Sequence, residues 1–244
     1  MEKTWPGRSF FSVLTHDEYK KDNINQKTKE KFYESGREEA KGIVATLARN
    51  DFYGIQSVHR GGTDILSEKR VVEYGCGCGR VTKSLAKIFK HVTAVDISDG
   101  NLKIAREEVP DFNIDFRLIK SMHDYEEIPK ADVVYSRIVL QHNCPPVIEY
   151  LLDSMFHVLK NHGMIFFQVP TYQDGYGWEY TKYMEEIEHM EMHAFPQLKI
   201  FELAQKNSCV PCEVFQDGWT GNWGISTSFV FRKHELENIA CQDG

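Results

Sequence analysis

The sequence predicts an α/β fold built on a doubly wound sheet of parallel strands. Short β-branched or apolar segments alternate with amphipathic helical segments between residues 70 and 169. A glycine-rich turn joins the first of these strands to the next helix. The segment Met164–Val169 is nearly all apolar, as expected for a strand that is buried on both faces. Right-handed strand–helix–strand crossovers then place the strands parallel.

The elements follow from periodicity and from helix start and stop signals. Strands are predicted at Arg70–Tyr74, Val92–Val95, Phe112–Ile119, Ala131–Tyr135 and Met164–Val169, with a closing pair at Cys212–Gln216 and Ser226–Phe231. Helices are predicted at Asn25–Asn50, Val81–Phe89, Asn101–Val109, Pro145–Leu159 and Gln197–Lys206, the fourth ending at Asn161-His162-Gly163. Residues 171–196 are predicted to be an insertion with many aromatic side chains and a helix rich in Met, Glu and His. We therefore expect an N-terminal helical lid or extension over residues 1–60 and a main domain over residues 61–244.

Composition and charge narrow the function classes. The chain has 244 residues and a formal net charge of −7, which gives no reason to expect a nucleic-acid partner. No stretch approaches the roughly 20 apolar residues that a membrane span needs, and the N-terminus lacks an apolar signal core, so a cytoplasmic protein is expected. The six cysteines are expected to be reduced thiols. Cys209-x-x-Cys212 has no second Cys/His pair close by, so no metal site is predicted.

The segment that most strongly indicates a ligand site lies between a predicted strand and a predicted helix. It reads Glu73-Tyr74-Gly75-Cys76-Gly77-Cys78-Gly79. Glycines there allow a sharp turn and let a ligand approach the main chain. A dinucleotide fingerprint would place its third glycine at Arg80, and a phosphate loop would need Gly-Lys-Ser/Thr. The pattern therefore predicts a nucleoside site that differs from an NAD, FAD or triphosphate site.

Asp96 ends the second strand, 17 residues after Gly79. A carboxylate in that position can accept hydrogen bonds from both ribose hydroxyls. Alone, Asp96 could instead cap the following helix, a role for which Ser98 and Asp99 compete. The glycines alone could form a tight strand-to-helix turn without a ligand. The two features together favour ligand binding.

These residues resemble the class I S-adenosylmethionine-dependent methyltransferases, whose acidic-x-Gly-x-Gly-x-Gly motif is similar to residues 73–79. Ala131–Ser136 resembles the fourth strand of that family, and Val158–Ile165 resembles the turn before its fifth strand, with Asn161-His162 in place of proline and glycine. The resemblance implies a seven-stranded, mostly parallel Rossmann-like sheet whose last strands form an antiparallel hairpin. Ser136–His142 further resembles a bacterial subgroup that acts on small molecules, as do Phe32–Arg37 and Met192–Gln197.

The resemblance also implies S-adenosylmethionine as the cofactor and assigns roles to residues. The three glycines would pass close to its methionine part, and Glu73 would orient the turn or the amino group. Asp96 would hold the ribose and Ile97 would lie against the adenine. An acidic residue often contacts the adenine amine, but Ser121 or Met122 stands in that place here. Arg137 is assigned to the same group because it could pair with a carboxylate; a surface ion pair explains it equally well.

Methyl transfer to a hydroxyl or ammonium needs a proton acceptor, whereas the rest of the chemistry is alignment and exclusion of water. His142, after the fourth strand, is the first candidate, with capping of the next helix as the alternative. His193, in the insertion, is the second, with a solvated position in a charged helix as the alternative. The tyrosines between Tyr172 and Tyr183, with Trp178, could wall an acceptor pocket or pack a lid.

Three function classes stay open. The first is methyl transfer to a small-molecule oxygen or nitrogen, in a saccharide or natural-product pathway. The second is a nicotinamide-dependent oxidoreductase, which Arg80 at the third glycine position argues against. The third is a non-catalytic partner subunit of the same fold. A protein acceptor is a further alternative, and the sequence does not determine the oligomeric state.

Overall fold

The computed structural model describes residues 10, 13, 16–50, 63–181 and 191–234. Seven strands form one sheet in the order β3-β2-β1-β4-β5-β7-β6. The strands are β1 Arg70–Tyr74, β2 His91–Asp96, β3 Ile114–Leu118, β4 Ala131–Ser136, β5 Leu159–Tyr172, β6 Cys209–Asp217 and β7 Ile225–Lys233. β1 and β3 each run parallel to β2, and β4 runs parallel to β5, whereas β7 runs antiparallel to both β5 and β6. The predicted seven-stranded, mostly parallel α/β sheet with a final antiparallel hairpin is confirmed.

Five α-helices accompany these strands in the described residues. They are α1 Gln26–Arg49, α2 Thr82–Leu85, α3 Asp99–Glu108, α4 Pro145–Val158 and α5 Gln197–Lys206. α1 begins where the Asn25 side chain accepts the backbone N–H of Thr28, while the Thr28 hydroxyl accepts the N–H of Asn25. This reciprocal cap supplies partners for donors that the first helical turn leaves open.

The chain divides into two compact units, residues 1–129 and 130–244. In the first unit, aromatic side chains before and within α1 form a buried cluster with Cys78 of the glycine turn and Val109 after α3; they are Phe10, Tyr19, Phe32 and Tyr33. The ring centroids of Phe10 and Phe32 lie 4.9 Å apart, edge to face. The predicted boundary near residue 60 stays a prediction.

The core of the second unit is built from phenylalanines of α4, β5 and β7. Phe167, Phe229 and Phe231 stack with centroids 5.3 to 6.1 Å apart, and Phe156 of α4 meets Phe231 edge to face at 5.3 Å. All four rings are buried, as expected for a strand pair covered by a helix. This packing holds β5, which leads into the segment that carries His193.

Several predicted boundaries were wrong, by two or more residues at β3, β5, β6 and β7 and at the helices described next. The helix expected at Val81–Phe89 is α-helical only over α2, and tighter turns continue from Ala86 to Phe89. The helix expected from Asn101 starts at Asp99, because the Ser98 hydroxyl accepts the Asn101 N–H at 3.2 Å. Residues 159–163 belong to β5 instead of ending α4: Leu159 is extended and pairs with Ala131.

The Met/Glu/His-rich helix predicted in the insertion falls mostly on residues 182–190, which lie outside the described part of the chain. Among the helices in the described ranges, none combines the length and the apolar character needed to cross a bilayer.

Candidate functional site

The glycine turn lies between β1 and α2, where the main chain adopts conformations that favour glycine. Gly75, Gly77 and Gly79 have φ angles of 72°, 54° and 77°. The N–H groups of Gly75 and Cys76 donate to the Val95 carbonyl of β2 at 2.8 and 3.0 Å, and Gly79 donates to Cys76 at 3.0 Å. A phosphate-binding turn presents unbonded N–H groups to its ligand. The N–H groups of Gly75, Cys76 and Gly79 are therefore used inside the protein and are not available to a ligand.

Two of the glycines make room for protein neighbours. A Cβ on Gly77 would lie 2.5 Å from Cγ2 of Val13, and a Cβ on Gly79 would lie 3.1 Å from Cγ2 of Val109. The expectation that the missing Cβ atoms clear space for a ligand therefore needs correction at both positions. Gly77 leaves room for the Val13 side chain, and Gly79 allows the turn to pack closely against the end of α3.

Asp96 ties the second strand to this turn. Its Oδ2 accepts the N–H of Gly77 at 2.8 Å, and its Oδ1 accepts the N–H of Ser98 at 2.8 Å. Burial raises the pKa of the half-buried Asp96 above its ordinary value, and the N–H donors of Ser98, Gly77 and Ile97 oppose that shift. The alternative in which Asp96 caps α3 is wrong, because Ser98 caps it. A carboxylate oxygen can accept more than one hydrogen bond, so each oxygen keeps capacity for a ribose hydroxyl.

Glu73 lies at the buried end of β1, 4% exposed. Its Oε2 accepts the hydroxyl of Thr82, the first residue of α2, at 2.6 Å. Burial raises the pKa of Glu73 to about 8, although the Thr82 hydrogen bond opposes the shift. Glu73 therefore holds the glycine turn between β1 and α2 and is largely protonated at neutral pH.

Helix α1 supports the turn from its other side. The Tyr33 hydroxyl donates to the carbonyl of Cys78 at 3.2 Å. Gly36 lies so close that a Cβ there would overlap the carbonyl oxygen of Arg80. Arg80, which occupies the third-glycine position of a dinucleotide site, forms a buried ion pair with Glu39 at 2.7 Å. Sequence reasoning missed this support, although a glycine and a glutamate three residues apart in a helix could have signalled a contact face.

The remaining residues predicted to contact adenine lie on the surface of the first unit. Ile97 is 72% exposed, and Met122 is partly exposed. Ser121 and Lys120 donate their N–H groups to Asp124 Oδ2 at 2.8 and 2.6 Å, so the nearest acidic side chain caps a short 3-10 helix over Met122–Glu127. Their roles in adenine binding stay predictions.

The two candidate histidines meet in the second unit around Glu191. The Nδ1 of His142 lies 3.0 Å from the Glu191 carbonyl oxygen, and the Nε2 of His193 lies 3.2 Å from Glu191 Oε2. The Nδ1 of His193 lies 2.8 Å from the Tyr176 hydroxyl. The His193 N–H donates to the Gln141 carbonyl at 2.8 Å, which clips this segment to the turn after β4.

Both alternative roles for these histidines were wrong. His193 is only 7% exposed, so it is no solvated residue. The N-cap of α4 is Cys144, so His142 does not cap that helix. Burial lowers the pKa of His142, the carbonyl of Glu191 opposes the shift, and the neighbouring His193 adds to it. Sequence reasoning missed Glu191 and Tyr176 as hydrogen-bond partners of His193, because no shared period links Tyr176 to a histidine 17 positions away.

Two further polar side chains stand near the end of β4. The Gln141 side chain is 3% exposed, and within the described residues its Oε1 has no hydrogen-bond partner. The Arg137 guanidinium lies over three aromatic rings, with its central carbon 4.7 Å from the Trp219 centroid, 5.2 Å from Phe166 and 5.7 Å from Tyr135. Both interpretations of Arg137, the contact with the cofactor and the surface ion pair, stay predictions.

A comparison with protein families identifies the turn and the strands around it. Residues 71–163 match the family described as a methyltransferase domain. These residues form a methyltransferase domain, similar to those of the class I S-adenosylmethionine-dependent methyltransferases. The family's cofactor is S-adenosylmethionine, and its match spans the glycine turn, Asp96 and His142. Cys209 and Cys212 lie outside the match, and no cluster of three potential metal ligands occurs among the residues that the structure describes.

The methyltransferase is also similar to curated proteins over part of its length. It is 33% identical over 105 residues to ubiquinone biosynthesis O-methyltransferase of Nitrosomonas europaea, covering 42% of this chain and 44% of that one. It is 32% identical over 103 residues to trans-aconitate 2-methyltransferase of Variovorax paradoxus, covering 41% and 38%. The matched region thus spans less than half the length of these curated relatives.

Solved structures share the fold of the methyltransferase over most of its length. Magnesium protoporphyrin IX methyltransferase from Synechocystis, with bound S-adenosylhomocysteine, aligns with a TM-score of 0.59 at 15% identity, over 93% of this chain and 97% of that one. A sarcosine dimethylglycine methyltransferase from Galdieria sulphuraria aligns with a TM-score of 0.54 at 16% identity, over 73% and 83%. At these identities the likeness concerns the fold.

Proposed function

We propose that this protein transfers a methyl group from S-adenosylmethionine to an oxygen or nitrogen of a small molecule. The observation that carries the proposal is the Asp96 carboxylate, which anchors the glycine turn through Gly77 and keeps lone pairs for a ribose. The curated relatives add support, because their names describe methyl transfer to small molecules.

Within this proposal the glycine turn would carry the methionine part, Asp96 the ribose and Ile97 the adenine. The absence of the third glycine of a dinucleotide fingerprint, at Arg80, favours a cofactor other than NAD or FAD. Bound S-adenosylmethionine supplies the electrophilic methyl group. His142 and His193 are the candidate proton acceptors for an acceptor that arrives protonated.

Calorimetry on the full chain with S-adenosylhomocysteine and, separately, with NAD⁺ tests the cofactor. We expect a saturable heat with the first ligand and none with the second. Binding of NAD⁺ alone would replace the proposal with the oxidoreductase alternative. Transfer of a radiolabelled methyl group to small hydroxyl and amine acceptors then separates an active enzyme from a non-catalytic partner subunit.

A further inference from the structure

The hydrogen-bond directions around His193 can be assigned from its partners. A carboxylate only accepts, so the Nε2 of His193, 3.2 Å from Glu191 Oε2, carries a proton. A neutral imidazole with a proton on Nε2 has a lone pair on Nδ1. The Tyr176 hydroxyl, 2.8 Å from that Nδ1, therefore donates to it, and the three side chains form a chain from tyrosine to histidine to carboxylate.

His142 has the opposite tautomer and a different electrostatic setting. Its Nδ1 faces the Glu191 carbonyl, which only accepts, so the proton is on Nδ1 and the lone pair on Nε2. Burial and the nearby His193 lower the pKa of His142, which disfavours its charged form. His193, by contrast, has a carboxylate that stabilises an imidazolium, the arrangement used by hydrolase triads. The geometry therefore favours His193 as the proton acceptor, because a proton on its ring would face the Glu191 carboxylate.

We propose that Tyr176, His193 and Glu191 form a proton relay that accepts the proton of an acidic acceptor hydroxyl, such as a phenol or an enol. This inference rests on the proposed methyl transfer and names its acceptor class and its proton path. His193 is buried, so an acceptor reaches it through the half-buried Tyr176 hydroxyl.

The acceptor oxygen bonds to the methyl carbon while the carbon–sulfur bond of the cofactor breaks, with its electron pair left on sulfur. The acceptor proton moves to the Tyr176 oxygen as the Tyr176 proton moves to His193 Nδ1. The resulting imidazolium faces the Glu191 carboxylate, and the proton later leaves to water.

Two features of the surroundings favour a planar acceptor with a hydroxyl. The half-buried Trp223 ring lies edge to face against Tyr176, with centroids 6.1 Å apart, and offers an aromatic wall. The buried Oε1 of Gln141 has no donor among the described residues, and the Gln141 carbonyl is bonded to His193. A buried acceptor without a donor costs about 1–3 kcal/mol, which a ligand hydroxyl or amine would relieve.

The experiment uses the full chain loaded with S-adenosylhomocysteine and 4-nitrophenol, whose ionised form absorbs visible light. We expect the bound probe to ionise at a pH at which the free probe is mostly neutral. Tyr176→Phe, His193→Gln and Glu191→Gln should each abolish this ionisation. Tyr172→Phe, which changes an exposed tyrosine of the same segment, should retain it. Retained ionisation in His193→Gln, or a neutral bound probe in the wild type, would overturn the relay.

A measurement on the unmodified protein guards against variants that do not fold. Long-range ¹H–¹⁵N correlation spectra should show His193 protonated on Nε2 and His142 protonated on Nδ1. Identical tautomers in the two residues would contradict the assigned directions. Calorimetry with S-adenosylhomocysteine separates the two proposals, because absent binding rejects the methyltransferase function, whereas intact binding with a neutral probe rejects the relay alone.

Discussion

The carboxylate of Asp96 accepts the backbone N–H of Gly77 at 2.8 Å, across 19 residues of sequence. This bond fixes the middle of the glycine turn against the end of β2. Asp96 therefore has a structural role of its own, since its removal leaves the Gly77 and Ser98 N–H groups without their acceptor.

Asp96→Asn is expected to weaken S-adenosylhomocysteine binding by about 1.5–3 kcal/mol, or roughly ten- to a hundredfold, because hydrogen bonds to a charged group are lost. The amide still accepts one backbone N–H, so the fold should persist with a modest loss of stability. Calorimetry gives the affinity. Asp99→Asn, which changes an exposed carboxylate in the first turn of α3, is the matched control and should bind as the wild type does. Equal affinity in the two variants would remove Asp96 from the site.

Glu73 makes stability depend on pH. Its pKa is about 8 in the folded protein against an ordinary value of 4.5, so between these values the folded state holds a proton that the unfolded state releases. The contribution of Glu73 to the free energy of unfolding is complete below pH 4.5 and is lost as the pH rises through 8. Between these values the free energy of unfolding falls by up to about 1.4 kcal/mol per pH unit. Urea unfolding of Glu73→Gln across this range should lack that decline. Glu107→Gln, an exposed control, should keep it, and an unchanged slope in Glu73→Gln would contradict the assignment.

Gly36→Ala should destabilise the protein by about 3 kcal/mol, because the new Cβ overlaps the Arg80 carbonyl and pushes α1 away from the turn. Gly42→Ala in the same helix has open space around its Cβ and should stabilise by about 1 kcal/mol through helix propensity. Urea midpoints of the two variants measure the difference. A stabilised Gly36→Ala protein would mean that α1 does not press on the turn as described.

Glu39→Gln is expected to cost about 3–5 kcal/mol, because it leaves the buried Arg80 guanidinium without its carboxylate. Glu38→Gln breaks only the exposed pair with Lys41 and should change stability by less than about 1 kcal/mol. Thermal and urea unfolding of both variants give the comparison. Similar losses at positions 38 and 39 would argue against a buried ion pair at the glycine turn.

The sequence predicted the sheet well because its signals are local. Buried parallel strands such as β1 and β2 read as apolar runs, and α5 was placed at its observed bounds, Gln197–Lys206. The predicted ends of helices were wrong where a single tertiary or capping contact decides the boundary. α3 begins earlier than predicted because the Ser98 hydroxyl caps it, and α4 ends before Leu159 because Leu159 pairs with Ala131 of β4.

The candidate site was predictable only in part, because sequence signals are local and some of its contacts join distant parts of the chain. The glycines and Asp96 formed a motif that a single sequence displays, so their proximity could be expected. The N-terminal contact of Gly77 with Val13 and the ion pair of Arg80 with Glu39 join distant segments that share no pattern. Propensity and spacing describe neighbours along the chain, whereas these contacts depend on how α1 packs.

By itself the sequence determined the order of strands and helices, the turn at residues 75–79 and the acidic end of the second strand, since backbone preference and hydrophobic period are properties of short segments. Only the tertiary structure decided that Glu191 joins two histidines, one through its carbonyl and one through its carboxylate, and that Tyr176 completes the chain. Hydrogen-bond direction and burial arise from long-range packing, and these two quantities assign the histidines their different tautomers.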